Sequence, residues 1–412
     1  MSVDPRTAVA AVAPALQRAS AAGLWTEHTR AAVFHDLDRL RGRIAELHAA
    51  FPEGSLHAVA VKANPLVELL KVVVAAGAGL EAASWEEVQL ALAAGCAADR
   101  IVFDSPAKTD VELKASLDLR CWINADNEDE LRRMVELGVP DGSRIGLRVN
   151  PQVGQGAIAF TSTVGKTSKF GVPLEQAADL VARYPFITGL HVHTGSQGCG
   201  LDLLSAAAAK TAAAVEELGL AWLDVGGGVP VRYTDADPAP PSFGDWGAAL
   251  SSMPGWGSRT VVTEIGRALH AGTGWALSRI EAVKDVNGRP TIVVHLGADF
   301  LLRRVYRPDD WDNEMVVLDP EGRPRQGALE PTDIAGPLCF SGDLIARQRS
   351  LPAARRGDLL LIRDVGAYTL SMWSRHCSRG LPPSLGYDAA GVRVLHRGES
   401  PEDVVAFWSL DG

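Results

Sequence analysis

From about residue 31 the chain alternates short apolar runs with longer Ala/Leu/Glu-rich segments, and no other feature restricts its fold as much. The strand-like runs are AAVF (31–34), HAVAVKAN (57–64), IVFDS (101–105), CWINAD (121–126), RIGLRVN (144–150), GLHVHTGS (189–196), AWLDVGGG (221–228) and TVVTEIGR (260–267). Between them, Leu37–Phe51, Trp85–Ala94, Glu128–Leu137 and Leu204–Leu218 repeat apolar residues at three- and four-residue intervals, the period of a helix. A strand–helix–strand rhythm builds a parallel sheet. Eight strands over roughly 235 residues match a TIM-type (β/α)8 barrel, which needs about 250. A doubly wound open sheet has the same rhythm and stays open on this ground alone.

After about residue 268 the pattern changes. IVVHL, DLLLIRDV and GVRVL are strands bounded by turns, with few long helical segments between them, which predicts a mostly antiparallel C-terminal β-domain. A chain of 412 residues is too long for one ordinary core, so two domains are expected. The proline-rich TDADPAPPSFGDW (234–246) reads as a surface excursion.

A net charge of −10 argues against a nucleic-acid or anionic-membrane partner, which requires a basic field. Asp4, Arg6 and Arg18 interrupt the Ala-rich start, so no secretory signal is expected, and no run of about 18 uncharged apolar residues suggests a membrane span. Cys96, Cys121, Cys199, Cys339 and Cys377 form no CxxC pairs. Reduced thiols in a cytoplasm are the expectation. Small-molecule chemistry fits this composition best.

Lys62 ends the apolar run Ala58-Val59-Ala60-Val61 and is followed at once by Ala-Asn-Pro, which cannot prolong it. Active-site groups of a barrel sit at the carboxyl ends of its strands. A lysine reaching from a strand end into solvent is the plain alternative. If buried, its ammonium would be disfavoured, leaving the neutral amine that forms a Schiff base. Asp224 and the glycines Gly226, Gly227 and Gly228 read as a strand entering a turn whose N–H groups can face a phosphate. A simple tight turn is the alternative, and neither the P-loop nor the GxGxxG pattern fits.

His191 and His193 alternate in HVHTGS and so share one side of a strand. Without a third ligand at convincing spacing no metal is expected, and an imidazole stacked on a planar ring is the better use. Glu264 and Arg267 in EIGR offer a carboxylate for a pyridine nitrogen and a guanidinium for a phosphate, or else a surface ion pair. Cys339 in GPLCFSGD and Tyr368 in DVGAYT lie in or beside C-terminal loops, where site residues and ordinary packing are equally common.

In this order the segments resemble the fold-type III pyridoxal 5′-phosphate enzymes, in the branch containing diaminopimelate and ornithine decarboxylases, from about Phe34 to Met372. The resemblance implies an alanine racemase-like fold. In it, residues 31–267 form the cofactor-binding barrel, and 1–30 plus 268–412 form the β-domain, with a strand from the extreme N-terminus. It also implies a homodimer whose active sites lie at the interface, and a small amino-acid substrate. By this resemblance Lys62 carries the cofactor, His193 stacks on its ring, Ser196 and Gly226–Gly228 bind its phosphate, and Tyr368 contacts it. Glu264, Gly266 and Arg267 form a variant of the family's EPGR, with Glu264 at the pyridine nitrogen. Cys339, on a loop donated by the partner subunit, is the implied proton donor.

Loss of CO2 needs a protonated pyridine as electron sink, so Glu264 favours decarboxylation over a racemase or epimerase design, which remains the alternative. A non-catalytic PLP-binding regulator is the second alternative, disfavoured by the C-terminal domain. The chain also departs from the family pattern. An acidic residue usually follows the loop cysteine and faces a distal ammonium; here Phe340 stands there, which turns the expectation away from the standard diamino acids. Arg303, with Arg304, and Tyr306 look like a shortened RPxLY segment able to hold a substrate carboxylate, and Asp343 belongs to the same expected substrate group with Phe340. An asparagine usual near His376-Cys377 is absent.

Overall fold

In the computed structural model, which describes residues 9–158 and 161–410, eight parallel strands close into a barrel. They are β1 Leu56–Ala60, β2 Gly79–Ala82, β3 Ile101–Phe103, β4 Trp122–Ala125, β5 Arg144–Asn150, β6 Ile187–His191, β7 Trp222–Asp224 and β8 Thr260–Thr263. Each pairs in parallel with the next, and β8 returns to β1. This is the expected closed barrel and excludes the open sheet.

One of the eight strand candidates leaves the barrel and one strand outside that set joins it. Ala31–Asp36 is not a barrel strand: it pairs antiparallel with Gly274–Asp285 and parallel with Ser384–Asp388 in the other sheet. A nearly all-buried apolar run looks the same in either sheet, and only its pairing tells them apart. Its barrel place goes to β2, GLEA, in which Gly, Glu and Ala are all depleted in strands. Gly79 is needed there because a Cβ would stand 2.3 Å from the Arg100 carbonyl oxygen.

Strand-to-helix turns are set by polar caps. The side chains of Ser84, Thr109 and Asn127 accept the first-turn N–H groups of Trp85–Ala93, Asp110–Leu119 and Glu128–Leu137, supplying partners that a helix start lacks. The barrel interior is filled by Leu56, Ala58, Val102, Trp122, Trp222 and Val262, with the two indoles edge-to-face at 4.9 Å. Gly146 and Gly189 make that possible: a Cβ at either would lie 2.5 or 2.1 Å from the Trp222 ring. The 234–246 excursion ends in a capped helix, Phe243–Leu250, whose Phe243 and Trp246 are buried, so only its first part is peripheral.

The chain divides into two compact units. The barrel unit is Leu40–Val231 with Ala239–Leu269; the other takes the chain up to Arg39, Arg232–Pro238 and the chain from His270 onward. The second unit is built on a mostly antiparallel nine-stranded sheet. It has one apolar cluster around Val33, Phe300, Ile334 and Leu360, and a second around Leu16, Phe34, Trp275 and Leu361, where Phe34 stacks on Trp275 at 4.2 Å. Residues 9–30 hold the helix Val12–Ala21 and no strand; the resemblance implies a strand from the extreme N-terminus, of which residues 1–8 lie outside the described residues. Among the described residues no helix is long and apolar enough to cross a membrane.

Candidate active site

Lys62 lies in a single 3-10 turn, Val61–Ala63, just past β1. Its Nζ stands 2.5 Å from both carboxylate oxygens of Glu81 on β2, a side chain with no solvent exposure, while the lysine side chain is one-third exposed at 33%. Lys108 provides the contrast. It is fully buried and commits its ammonium to the Ser105 and Asn124 carbonyls and to Glu130, so its role is to brace.

Glu264 follows β8 and is fully buried. Its N–H donates to the Gly226 carbonyl at 2.7 Å, tying it to the glycine turn. Its Oε2 lies 3.2 Å from His193 Nδ1 and 3.4 Å from His191 Nε2. Its Oε1 is buried with no hydrogen-bond partner. Burial pushes this carboxyl up, but the two histidines outweigh it and hold the group well below its ordinary range. Burial lowers His191, yet Glu264 and Asp224 overcome that and raise it, whereas burial prevails at His193 and lowers it. Of the two imidazoles, His191 is thus the one more readily protonated and His193 the less.

The strand ends at His191, so alternation is not what brings the histidines together; both turn toward Glu264. The ligand-type atoms of His191, His193 and Glu264 lie within 4.8 Å of one another, giving the third partner that the sequence spacing lacked.

Around this core the charges alternate. Asp104, past β3, lies 3.9 Å from Arg148 and 3.8 Å from His191. Burial and Glu264 push Asp104 up, but Lys62, Arg148 and His191 hold it below its usual value. Burial, reinforced by Asp104 and Glu264, raises Glu81 well above the carboxylate range despite Lys62. Asp224 is likewise raised, by burial and then by Glu264. Glu81 and Asp104 escaped the sequence reading. Their signal was a lone acid at the end of a short apolar run: Asp104 closes IVFD, already read as a strand, whereas Glu81 becomes visible only once GLEA is recognised as one.

Pyridoxal 5′-phosphate requires an amine, an anion for its ring nitrogen and a ring of donors for its phosphate. The donor set fits. The orphaned Glu264 Oε1 suits the pyridine N–H, and Gly226 and Gly228, at φ +64° and +107°, adopt backbone that L side chains rarely take. A Cβ at Gly227 would stand 2.3 Å from the Glu264 carbonyl oxygen. Arg267 reaches Ser196 Oγ with Nε at 3.3 Å and Nη2 at 3.0 Å. Gly266 accepts from the Leu269 N–H as the chain enters the short helix Arg267–His270. The barrel therefore brings together Lys62, His193, Ser196, Gly226, Gly227, Gly228, Glu264, Gly266 and Arg267 at the carboxyl ends of its strands.

The other expected residues form a separate group in the second unit. Arg303 places its guanidinium 4.8 Å from the Trp311 ring and 4.8 Å from the Tyr368 ring, and Tyr368 is held at φ +58°. Tyr306 and Phe340 are stacked at 6.3 Å, with His376 edge-on to Phe340 at 5.8 Å. Cys339 is exposed, and its N–H donates to Cys377 Sγ at 3.4 Å. Asp343, expected on the substrate side, is buried. Its oxygens accept the Ala298 and Leu338 N–H groups, each at 2.7 Å, so it braces the loop and has little left for a substrate.

The family model for the pyridoxal-binding domain of pyridoxal-dependent decarboxylases matches residues 37–271. The chain is 32% identical over 368 residues to a diaminopimelate decarboxylase of Pseudomonas aeruginosa, covering 85% of this chain and 86% of that protein. It is 33% identical over 389 residues to one from Deinococcus radiodurans, covering 90% and 94%. Among solved structures, diaminopimelate decarboxylase from Helicobacter pylori complexed with L-lysine superposes with a TM-score of 0.83 at 27% identity, over 94% of this chain and 99% of that one.

Proposed function

Since the chain belongs to the pyridoxal-dependent decarboxylases and removes CO2 from an α-amino acid with pyridoxal 5′-phosphate, we propose that Lys62 carries the cofactor and that the groups around Glu264 hold it. The observation that carries this reading is buried Glu264, whose Oε1 has no partner and whose backbone N–H is tied to the glycine turn, in one cluster with Lys62. When bound, the cofactor supplies the electron sink that lets the α-carbon release CO2.

The protein's own groups set up that chemistry. Glu264, kept ionised by its histidines, would hold a proton on the ring nitrogen, and His193 would lie against the ring. Arg267, Ser196 and the N–H groups of Gly226–Gly228 would hold the phosphate, with Tyr368 as a further cofactor contact. Glu81, whose raised pKa makes it a ready acceptor, takes a proton from Lys62 Nζ and leaves the amine nucleophilic. Cys339 delivers the proton that replaces CO2, from the loop of a second copy in a homodimer. The unpaired cysteines suit a cytoplasmic setting.

The relatives' names point to diaminopimelate, but the loop here presents Phe340 and Tyr306 where a carboxylate would pair with a distal ammonium. We assign as substrate an α-amino acid outside the standard diamino acids, with Arg303 as the candidate partner of a substrate carboxylate. Incubating the PLP-loaded protein with a panel of amino acids, while following CO2 release and chiral inversion separately, tests both parts. CO2 from a substrate other than diaminopimelate, lysine or ornithine is the expected result. Inversion without CO2 would overturn decarboxylation, and preferred turnover of diaminopimelate would overturn the substrate assignment.

A further inference from the structure

Of the five cysteines, Cys96, Cys121 and Cys199 are buried, and burial pushes their thiols up, the first two to about 11 and about 12. Such thiols are poor nucleophiles and out of reach of solutes. Cys339 and Cys377 are both exposed and lie side by side although 38 residues apart, since the Cys339 N–H donates to Cys377 Sγ at 3.4 Å. A second contact joins the same segments, the ring of Phe340 against His376. The Cys377 sulfur thus lies against the backbone N–H of the residue that bears the other thiol.

Both segments are pinned. On the Cys339 side, Asp343 ties the loop through the Leu338 and Ala298 N–H groups, and the Gly336 N–H returns to the Asp343 carbonyl at 2.9 Å. On the Cys377 side, the Ser374 N–H donates to the Asp299 carbonyl at 2.9 Å, and Trp373 Nε1 donates to the Arg379 carbonyl at 3.2 Å. Cys377 and Ser378 both sit at positive φ, +56° and +51°, which side-chain-bearing residues rarely adopt. The fold therefore holds a thiol against the Cys339 loop at a conformational cost, and the loop-closure entropy of joining the two sulfurs is already met.

The geometry points to Cys339 and Cys377 as a dithiol that a low-molecular-weight disulfide such as oxidised glutathione converts to an intramolecular disulfide, withdrawing the Cys339 thiol from turnover. The inhibitory half rests on the proton-donor reading given above. In the first exchange, Cys377 or Cys339 displaces one glutathione thiolate. In the second, the other cysteine attacks the mixed disulfide and displaces the remaining glutathione. One S–S bond is formed and one is broken, the two protein sulfurs are oxidised, and the two thiol protons end on two molecules of reduced glutathione.

The test exposes the PLP-loaded protein to oxidised glutathione, counts thiols, maps cross-linked peptides by mass spectrometry and assays decarboxylation before and after dithiothreitol. The expected result is loss of two thiols, a cross-linked pair of peptides containing residues 339 and 377, and a loss of turnover of tenfold or more that dithiothreitol restores. Cys377→Ser should form no cross-link. Persistence of both thiols, or stable glutathione adducts on each without a cross-link, overturns the dithiol. A cross-link with turnover intact overturns the switch. Cys339→Ala assayed in parallel separates the two readings: full turnover there refutes the proton donor and leaves the cross-link result standing by itself.

Discussion

At the scale of single residues, the site turns on how burial and neighbouring charge divide protons among four carboxyl groups. Glu264 stays ionised because two imidazoles face it, while Glu81, 2.5 Å from the Lys62 amine, is raised by burial. On the proposed reading, that difference suits Glu264 to holding a proton on the cofactor and Glu81 to accepting one from Lys62. Glu81→Gln keeps the shape and removes the acceptor. Cofactor attachment, followed by stopped-flow absorbance, should slow by about 10²-fold at neutral pH and recover as the pH rises toward the lysine range. An unchanged rate would remove Glu81 from the mechanism. The placement of Lys62, His193 and Glu264 just past strand ends was legible in the sequence because each sits in a short motif that closes an apolar run. Glu81 was not, because nothing local marks GLEA as a strand, and Asp343 was misjudged because only tertiary contacts show both its oxygens taken.

Among elements, the barrel was readable from rhythm, but its membership was not. Ala31–Asp36 and Gly79–Ala82 exchange places because pairing partners, which lie far along the chain, decide which sheet a short buried strand joins. The same long-range logic explains the glycines inside the barrel. Gly189 leaves room for Trp222, and a methyl group there would sit 2.1 Å from the indole. Gly189→Ala is expected to destabilise the chain by about 1–3 kcal/mol, read from urea unfolding, with the cofactor spectrum retained in the folded fraction. Stability equal to that of the parent would mean the indole is free to move aside.

For the molecule as a whole, three buried imidazoles make the fold acid-sensitive. Burial lowers His35 to about 3, His57 to about 3 and His270 to about 4 from an ordinary 6.5. Each is neutral when folded and free to protonate when unfolded. Its contribution is therefore complete above pH 6.5 and is lost as the pH falls toward its folded value. In chemical unfolding at two pH values, His35→Gln should lose roughly 2 kcal/mol less stability than the parent between pH 6.5 and 5. An identical pH dependence in both proteins would show that His35 is not held neutral. The central claim, that Lys62 carries pyridoxal 5′-phosphate in this fold, is tested most directly by the visible spectrum of the protein loaded with the cofactor, compared with Lys62→Ala. The account predicts an imine band near ~420 nm in the parent that disappears in Lys62→Ala; no band in the parent, or an equal band in both, would contradict it.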